Sequence, residues 1–204
     1  MTTNLLFLRH GQIKANRQGR WHGSTDSALT LKGRIQASLT SKALRSRPEI
    51  SAVYTSPLQR CRHTARLATT RLPYEPVVIS GLAEMSIGDW EGQKFNRLQS
   101  EQQLIERCTK DIHWCPPNGE SLAIVAQRMC DAIDQIKKSH SDGSTVLVVS
   151  HGAATAIAIA TLIHNDPSQW GGYHFRNCSL TELTLKDGAN LGSFDDCSHL
   201  GMFG

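Results

Sequence analysis

Apolar residues along this chain come in two rhythms. Short continuous runs alternate with longer stretches in which apolar positions recur every three or four residues. The first run, Leu5-Leu6-Phe7-Leu8, lies in a strand expected over residues 4 to 8 and buried on both faces. Thr30 suits a helix N-cap, and Leu31, Ile35 and Leu39 then recur on what reads as the apolar face of a helix. A short strand is expected around Ala52-Val53-Tyr54. Pro57 in Ser56-Pro57-Leu58 would suit the first turn of a second helix running to about Thr70. Val77-Val78-Ile79 reads as a third strand.

The stretch from about 84 to 118 is the least regular, with Gly88, Gly92, Pro116, Pro117 and Gly119 marking turns around one helix expected near 94 to 108. After Ser121, the positions Leu122, Val125, Met129, Ile133 and Ile136 keep a helical period to about Ser139, and Ser141-Asp142-Gly143 ends it. A β-branched run over 145 to 149 predicts a strand. Gly152 then opens an Ala-rich helix to about Ile163 whose near-continuous apolarity implies burial on most sides. Strands near 179 to 185 and 191 to 194, separated by Asp187-Gly188, read as a terminal hairpin. Strand and helix alternate throughout. The pattern therefore predicts an α/β three-layer sandwich, a mostly parallel central sheet flanked by helices. With 204 residues, 39% of them hydrophobic, and no repeat, linker or low-complexity tract, residues 1–204 are expected to form one domain.

Charge and cysteine content narrow the classes. The formal charge is +4 and the pI near 8.8, but Lys and Arg are scattered, which favours an anion pocket over a nucleic-acid surface. The six cysteines form no C-x-x-C pair and no compact zinc spacing, so buried or incidental thiols in a reducing cytoplasm are expected. The apolar stretch ending at Leu8 is too short for a signal-peptide core or a membrane span, and no membrane partner is expected.

The chemistry concentrates where two of these runs end. Arg9-His10-Gly11 leaves the first strand, and Ser150-His151-Gly152 leaves the strand at 145 to 149. If these strands lie side by side and parallel, both histidines project into the crevice beyond the carboxyl ends of the sheet, with Arg9 beside them. Arginine and histidine without a carboxylate cage form a site for an anion, most naturally phosphate, because guanidinium makes planar charge-assisted bonds to its oxygens. Composition alone leaves another reading open, histidines satisfied inside the core.

Five segments, in order, resemble the histidine phosphatase superfamily, which includes cofactor-dependent phosphoglycerate mutases and many phosphomonoesterases. Leu8-Arg9-His10-Gly11-Gln12 with Asn16 is similar to its opening motif, although Ile13 and Ala15 stand where Thr and Trp are common. Thr55-Ser56-Pro57-Leu58-Gln59-Arg60, with Thr64 a helical turn later, resembles its second arginine motif. The segment from Leu82 to Gly92 resembles its acid-bearing stretch. Asn118-Gly119-Glu120-Ser121 and Val149-Ser150-His151-Gly152 complete the set.

The resemblance implies a phosphoglycerate mutase-like fold and phosphomonoester hydrolysis through a phosphohistidine. His10 is then the nucleophile, Arg9, Arg60 and His151 the phosphate cradle, and Glu84 the proton donor, with Asn16 and Gly152 also at the substrate. Asp89 and Glu91 are fallback acids, and Trp90 between them reads as a packing anchor. Arginines take the place of a divalent metal, so neither metal nor other cofactor is expected. No H-E-x-x-H spacing occurs among the nine histidines. In Arg17-Gln18-Gly19-Arg20-Trp21-His22-Gly23, Arg17 and Arg20 are candidates for a second anionic group, Trp21 for a ring, and His22 for substrate contact; solvated charges in a loop are the alternative.

The expected partner is a small phosphate ester, and the protein a monomer or homodimer. Met85, Ser86 and Ile87 stand where mutases of the family carry Arg and Tyr after the acid, which favours a phosphatase over a mutase. The segments from Glu84 to Glu91 and Asn118 to Glu120 resemble phosphatases of α-ribazole phosphate, making that ester a candidate substrate. A catalytically silent phosphate-binding protein is the remaining alternative.

Overall fold

A computed structural model describes residues 2–47 and 50–204; Met1, Pro48 and Glu49 lie outside it. Strand β1 (Thr3–Arg9) is paired in parallel with β4 (Ser144–Ser150) in a register that runs from Thr3↔Ser144 to Arg9↔Ser150. On the far side of β4 lie β2 (Ile50–Thr55) and β3 (Val77–Val78), also parallel. On the other side of β1, β5 (Leu180–Leu185) and β6 (Ala189–Leu191) run antiparallel, giving the order β3-β2-β4-β1-β5-β6.

A one-turn helix, α1 (Lys14–Arg17), follows β1. Because successive strand residues point to opposite faces, β1 splits its apolar run between two cores. Leu5 and Phe7 join α6 (Leu122–Lys138) and α7 (Gly152–His164), whereas Leu6 and Leu8 join α2 (Leu31–Leu44) and α3 (Gln59–Ala68). All four side chains are fully buried, and each contributes about 1.5–3 kcal/mol relative to exposure. The expected three layers and mostly parallel sheet are therefore present. Thr30 and Ser121 cap α2 and α6, accepting from the backbone N–H groups of Gly33 and Ile124 at 3.1 and 3.3 Å.

Several local expectations change. Leu31, Ile35 and Leu39 are not the inward face of α2; Leu31 is 77% exposed, and Gly33, Gln36, Ala37, Thr40, Ser41 and Leu44 are buried instead. The reason is a backbone-to-backbone approach: a Cβ at Gly11 would lie 2.4 Å from the Gly33 carbonyl oxygen, and one at Gly33 2.2 Å from that of Gln12. Such closeness admits only the small face of the helix. Pro57 precedes α3, whose N-cap is Leu58, so it shapes the approach to the helix and not its first turn. β3 ends at Val78 and is a half-exposed edge.

The helix expected over 94 to 108 is two, α4 (Phe95–Ser100) and α5 (Leu104–Lys110), separated at Gln103 with φ 51°. Leu98 and Leu104 would be about 120° apart around one continuous helix. The break lets both enter the core, where each is fully buried. The second hairpin strand is Ala189–Leu191 and not 191 to 194; it begins opposite Leu185, so the turn is confined to 186 to 188. Short 3₁₀ segments at Pro167–Gly172 and Ser198–Phe203 have no counterpart in the apolar pattern.

The Gly11/Gly33 contact predicts that Gly33→Ala lowers stability by about 1–3 kcal/mol through overpacking. Gly188→Ala, with open space around it, should stay within about 0.5 kcal/mol. Urea unfolding midpoints of the two variants check this; equal midpoints would refute the close approach.

Candidate active site

The β1/β4 register ends both strands at the same level, so the residues that follow them meet. His10 N–H donates to the Ser150 carbonyl at 3.0 Å, and the His10 and His151 ring centres are 5.2 Å apart. His10 is pinned on every side of its backbone. Asn177 Nδ2 donates to its carbonyl at 3.0 Å, and the next amide, Gly11 N–H, donates to Thr64 Oγ1 at 3.0 Å.

The ring of His10 is equally determined. A carbonyl can only accept, so the 2.8 Å contact between Nδ1 and the Gly11 oxygen puts the ring proton on Nδ1 and leaves the Nε2 lone pair free. Burial, reinforced by the Arg60 and Arg9 charges, holds the imidazole well below its ordinary pKa and keeps it neutral. Arg9 Nη1 donates to the Phe175 carbonyl, while its buried Nε has no partner among the described residues. Burial also pulls the Arg9 guanidinium below its usual range, with the Glu84 carboxylate opposing.

Arg60 and His151 lie behind His10, both 0% exposed. Arg60 Nε donates to His151 Nδ1 at 3.2 Å, so the remaining ring proton sits on Nε2 and is given to Ser56 Oγ at 2.7 Å. The other Arg60 nitrogens donate to the carbonyls of Thr25, His22 and Gly23 at 2.7, 3.1 and 2.7 Å. Burial, with Arg60, His10 and Arg9 adding to it, holds His151 well below its ordinary pKa.

Glu84 reaches the N-terminus of α7. Its Oε1 accepts from Met85 N–H at 2.9 Å and Ala154 N–H at 2.8 Å, and Oε2 from Ala153 N–H at 3.3 Å. The helix end is a natural seat for a carboxylate. The fallback acid Glu91 is committed elsewhere, accepting from the amides of Gly23, Ser24, Thr25 and Ile87. Asp89 accepts from Asn118 Nδ2, and Trp90 packs beside Trp114 with ring centres 5.9 Å apart.

These groups front a pocket of about 570 Å³. Of the residues singled out in the sequence, Arg9, His10, Asn16, Arg20, Trp21, His22, Glu84 and Gly152 line it; Arg60 and His151 do not, and neither does Arg17. One wall of the pocket is aromatic: Trp21 stacks on Phe95 at 5.9 Å and meets Trp170 edge-on at 6.4 Å. The apolar pattern gave no notice of the wall from Trp170 to Asn177, which adds Tyr173, His174, Phe175 and Arg176. Its only signal was polar and aromatic residues massed between a buried helix and the terminal hairpin. Among the described residues no group of three or more His, Cys, Asp or Glu is placed to hold a metal ion, and no helix is long and apolar enough to cross a membrane.

A family model described as the histidine phosphatase superfamily (branch 1) matches residues 5–192. A bifunctional protein of Mycobacterium tuberculosis is 38% identical over 150 residues, 73% of this chain and 41% of that protein, so the chain spans about two fifths of that relative's length. The adenosylcobalamin/alpha-ribazole phosphatase of Salmonella typhimurium is 32% identical over 174 residues, 84% of each chain. Among solved structures, mycobacterial glucosyl-3-phosphoglycerate phosphatase in complex with VO3 is similar with a TM-score of 0.85 and 27% identity, covering 94% of this chain and 98% of that one.

Two buried imidazoles held neutral make stability depend on pH. Their folded pKa values lie below the unfolded value of 6.5, so below that pH the unfolded chain binds more protons. Stability is then full above about pH 6.5 and falls as pH drops, by up to about 1.4 kcal/mol per pH unit for each imidazole. Urea unfolding at pH 7.5 and 5.5 should show the fall, and His10→Asn or His151→Asn should each flatten it. Equal stability at both pH values in the unsubstituted protein would contradict the burial of neutral rings.

Proposed function

The chain belongs to the histidine phosphatase superfamily, branch 1, and on that premise we propose that it is a metal-independent phosphomonoesterase using His10 as nucleophile and Glu84 as general acid and base. The observation that carries this reading is the His10 ring: neutral, with Nδ1–H given to the Gly11 carbonyl, and lining the same pocket as the Glu84 carboxylate.

In the first step the Nε2 lone pair attacks phosphorus in line, and the N–P bond forms as the ester P–O bond breaks. The departing alkoxide takes the proton of the Glu84 carboxyl. In the second, water attacks the phosphohistidine and gives a proton to the Glu84 carboxylate. The N–P electrons return to Nε2, and inorganic phosphate leaves with both groups restored. Arg9, with its unpartnered Nε, and the Gly152 end of α7 bind the transferring oxygens. Arg60 and His151 complete the cradle from behind. Their present hydrogen bonds run to each other, to Ser56 and to three loop carbonyls, so contact with phosphate requires His151 to turn from Ser56. Asn16 contributes its Nδ2, since its Oδ1 already accepts from Ile13 N–H and Asn177.

The leaving group occupies the far side, where Arg20, Trp21 and His22 meet it. An aromatic wall suits an ester with a planar ring, and α-ribazole phosphate is the candidate of that kind. Mutase activity is disfavoured because Met85 and Ile87 are fully buried and outside the pocket, offering no cation beside the acid. The assembled set of a neutral histidine, a carboxylate and an arginine around one pocket argues against a silent phosphate-binding role. The same proposal takes residues 1–204 as one catalytic domain, acting in the cytoplasm as a monomer or homodimer without metal or organic cofactor.

Phosphate release in EDTA across p-nitrophenyl phosphate, 3-phosphoglycerate, sugar phosphates, nucleotides and α-ribazole phosphate tests the activity and ranks substrates. His10→Ala should form no phosphoenzyme. Glu84→Gln should slow alkyl esters by about 10²–10⁴ and p-nitrophenyl phosphate far less. Normal turnover by His10→Ala would defeat the mechanism, and equal losses on all leaving groups would defeat the acid assignment.

A further inference from the structure

The segment that carries Glu84 has no regular secondary structure beyond a 3₁₀ turn at Ser80–Leu82, yet its carbonyls are all engaged. Arg128, in the second turn of α6, donates from Nη1 to Gly81 O at 2.8 Å and Ala83 O at 2.6 Å, and from Nη2 to Glu84 O at 3.1 Å. Its remaining N–H groups pair with Glu120, Nε to Oε1 at 2.8 Å and Nη2 to Oε2 at 2.9 Å. A guanidinium has five N–H donors, and all five are used here. Glu120 Oε2 also accepts from Ser86 N–H at 2.9 Å, and Ser150 Oγ donates to Leu82 O at 2.9 Å. One cation thus ties the carbonyls of Gly81, Ala83 and Glu84 to a long helix, and its partner Glu120 holds the backbone beyond Glu84 at Ser86. Arg128 does not itself line the pocket.

The side chain of Glu84 is tethered differently, through amides of α7 and Met85 that bond best to an ionised carboxylate. An acid must hold its proton until the leaving group departs, and in that state this tether is weakest. The Arg128 tether grips backbone carbonyls, so it does not depend on whether Glu84 is protonated. We propose that Arg128, oriented by Glu120, is a positioning residue that holds Glu84 at the leaving-group oxygen while it carries its proton. This rests on the assignment of Glu84 as the acid. Lysine cannot replace it, because a point charge lacks the planar fork that reaches three carbonyls and a carboxylate together.

The test is steady-state kinetics of Arg128→Lys, Glu84→Gln and the double variant, on p-nitrophenyl phosphate and on an alkyl ester such as glycerol 1-phosphate. Arg128→Lys should lose about 10- to 100-fold in kcat on the alkyl ester, and less than about threefold on p-nitrophenyl phosphate, with KM little changed. The double variant should be no slower than Glu84→Gln alone, since Arg128 acts through Glu84. Glu120→Gln, a milder change, should shift kcat in the same leaving-group-dependent direction, which keeps the test available should Arg128→Lys fold poorly. A uniform loss on both esters, or additive losses in the double variant, overturns the positioning role while a leaving-group-dependent Glu84→Gln leaves the acid assignment standing. Leaving-group independence in Glu84→Gln overturns both.

Discussion

The in-register parallel pairing of β1 with β4 is the constraint on which the site depends. Arg9 opposite Ser150 means that the two chains leave the sheet at one level, and the residues immediately beyond, His10 and His151, have no choice but to be neighbours. A one-residue slip would turn every side chain of β1 to the opposite face. Leu5 and Phe7 would then exchange cores with Leu6 and Leu8, so the Phe7 ring would have to fit a core packed around leucine, and it is the shape of packing on both faces that holds the register aligning the two histidines.

Around that junction the electrostatics are organised by burial. Two imidazoles and two guanidiniums share a small volume, and they coexist because the rings remain uncharged and the cations have carbonyls and one carboxylate to face. Each component is a response to its neighbours. The arginines suppress protonation of His10, and the tautomer that the Gly11 carbonyl selects leaves the pocket-facing chemistry to Nε2. The same pocket also has a wall of stacked aromatic rings, Trp21, Phe95 and Trp170.

How much of this was legible depends on the range of the interactions involved. Apolar runs of the central strands and the periods of α6 and α7 are local signals of burial, and they mark those elements to within a residue or two. The α2 face misled because its packing is set by contact between Gly33 and the loop after β1, a tertiary fact invisible to periodicity. Residues 94 to 108 divide because Leu98 and Leu104 both require the core, which a helix count based on turns does not register. That Arg9, His10, Asn16 and Glu84 come together around one pocket was recoverable from the motifs after β1 and around Glu84. The depth of Arg60 and His151 was not, since burial of a charged group depends on the carbonyls that a distant loop happens to offer. Nor was the wall from Trp170 to Asn177, which becomes part of the pocket only through the packing of α7.

That distant loop has a further importance. Arg60 is anchored by the carbonyls of His22, Gly23 and Thr25, the same excursion of chain whose Arg20, Trp21 and His22 line the pocket. Its carbonyls therefore hold in place one of the two guanidinium charges that His10 feels, while its side chains shape the pocket. A change in this one segment would alter the hold on Arg60 and the shape of the pocket together, so the charge beside His10 and the space in front of it are coupled through a single stretch of chain.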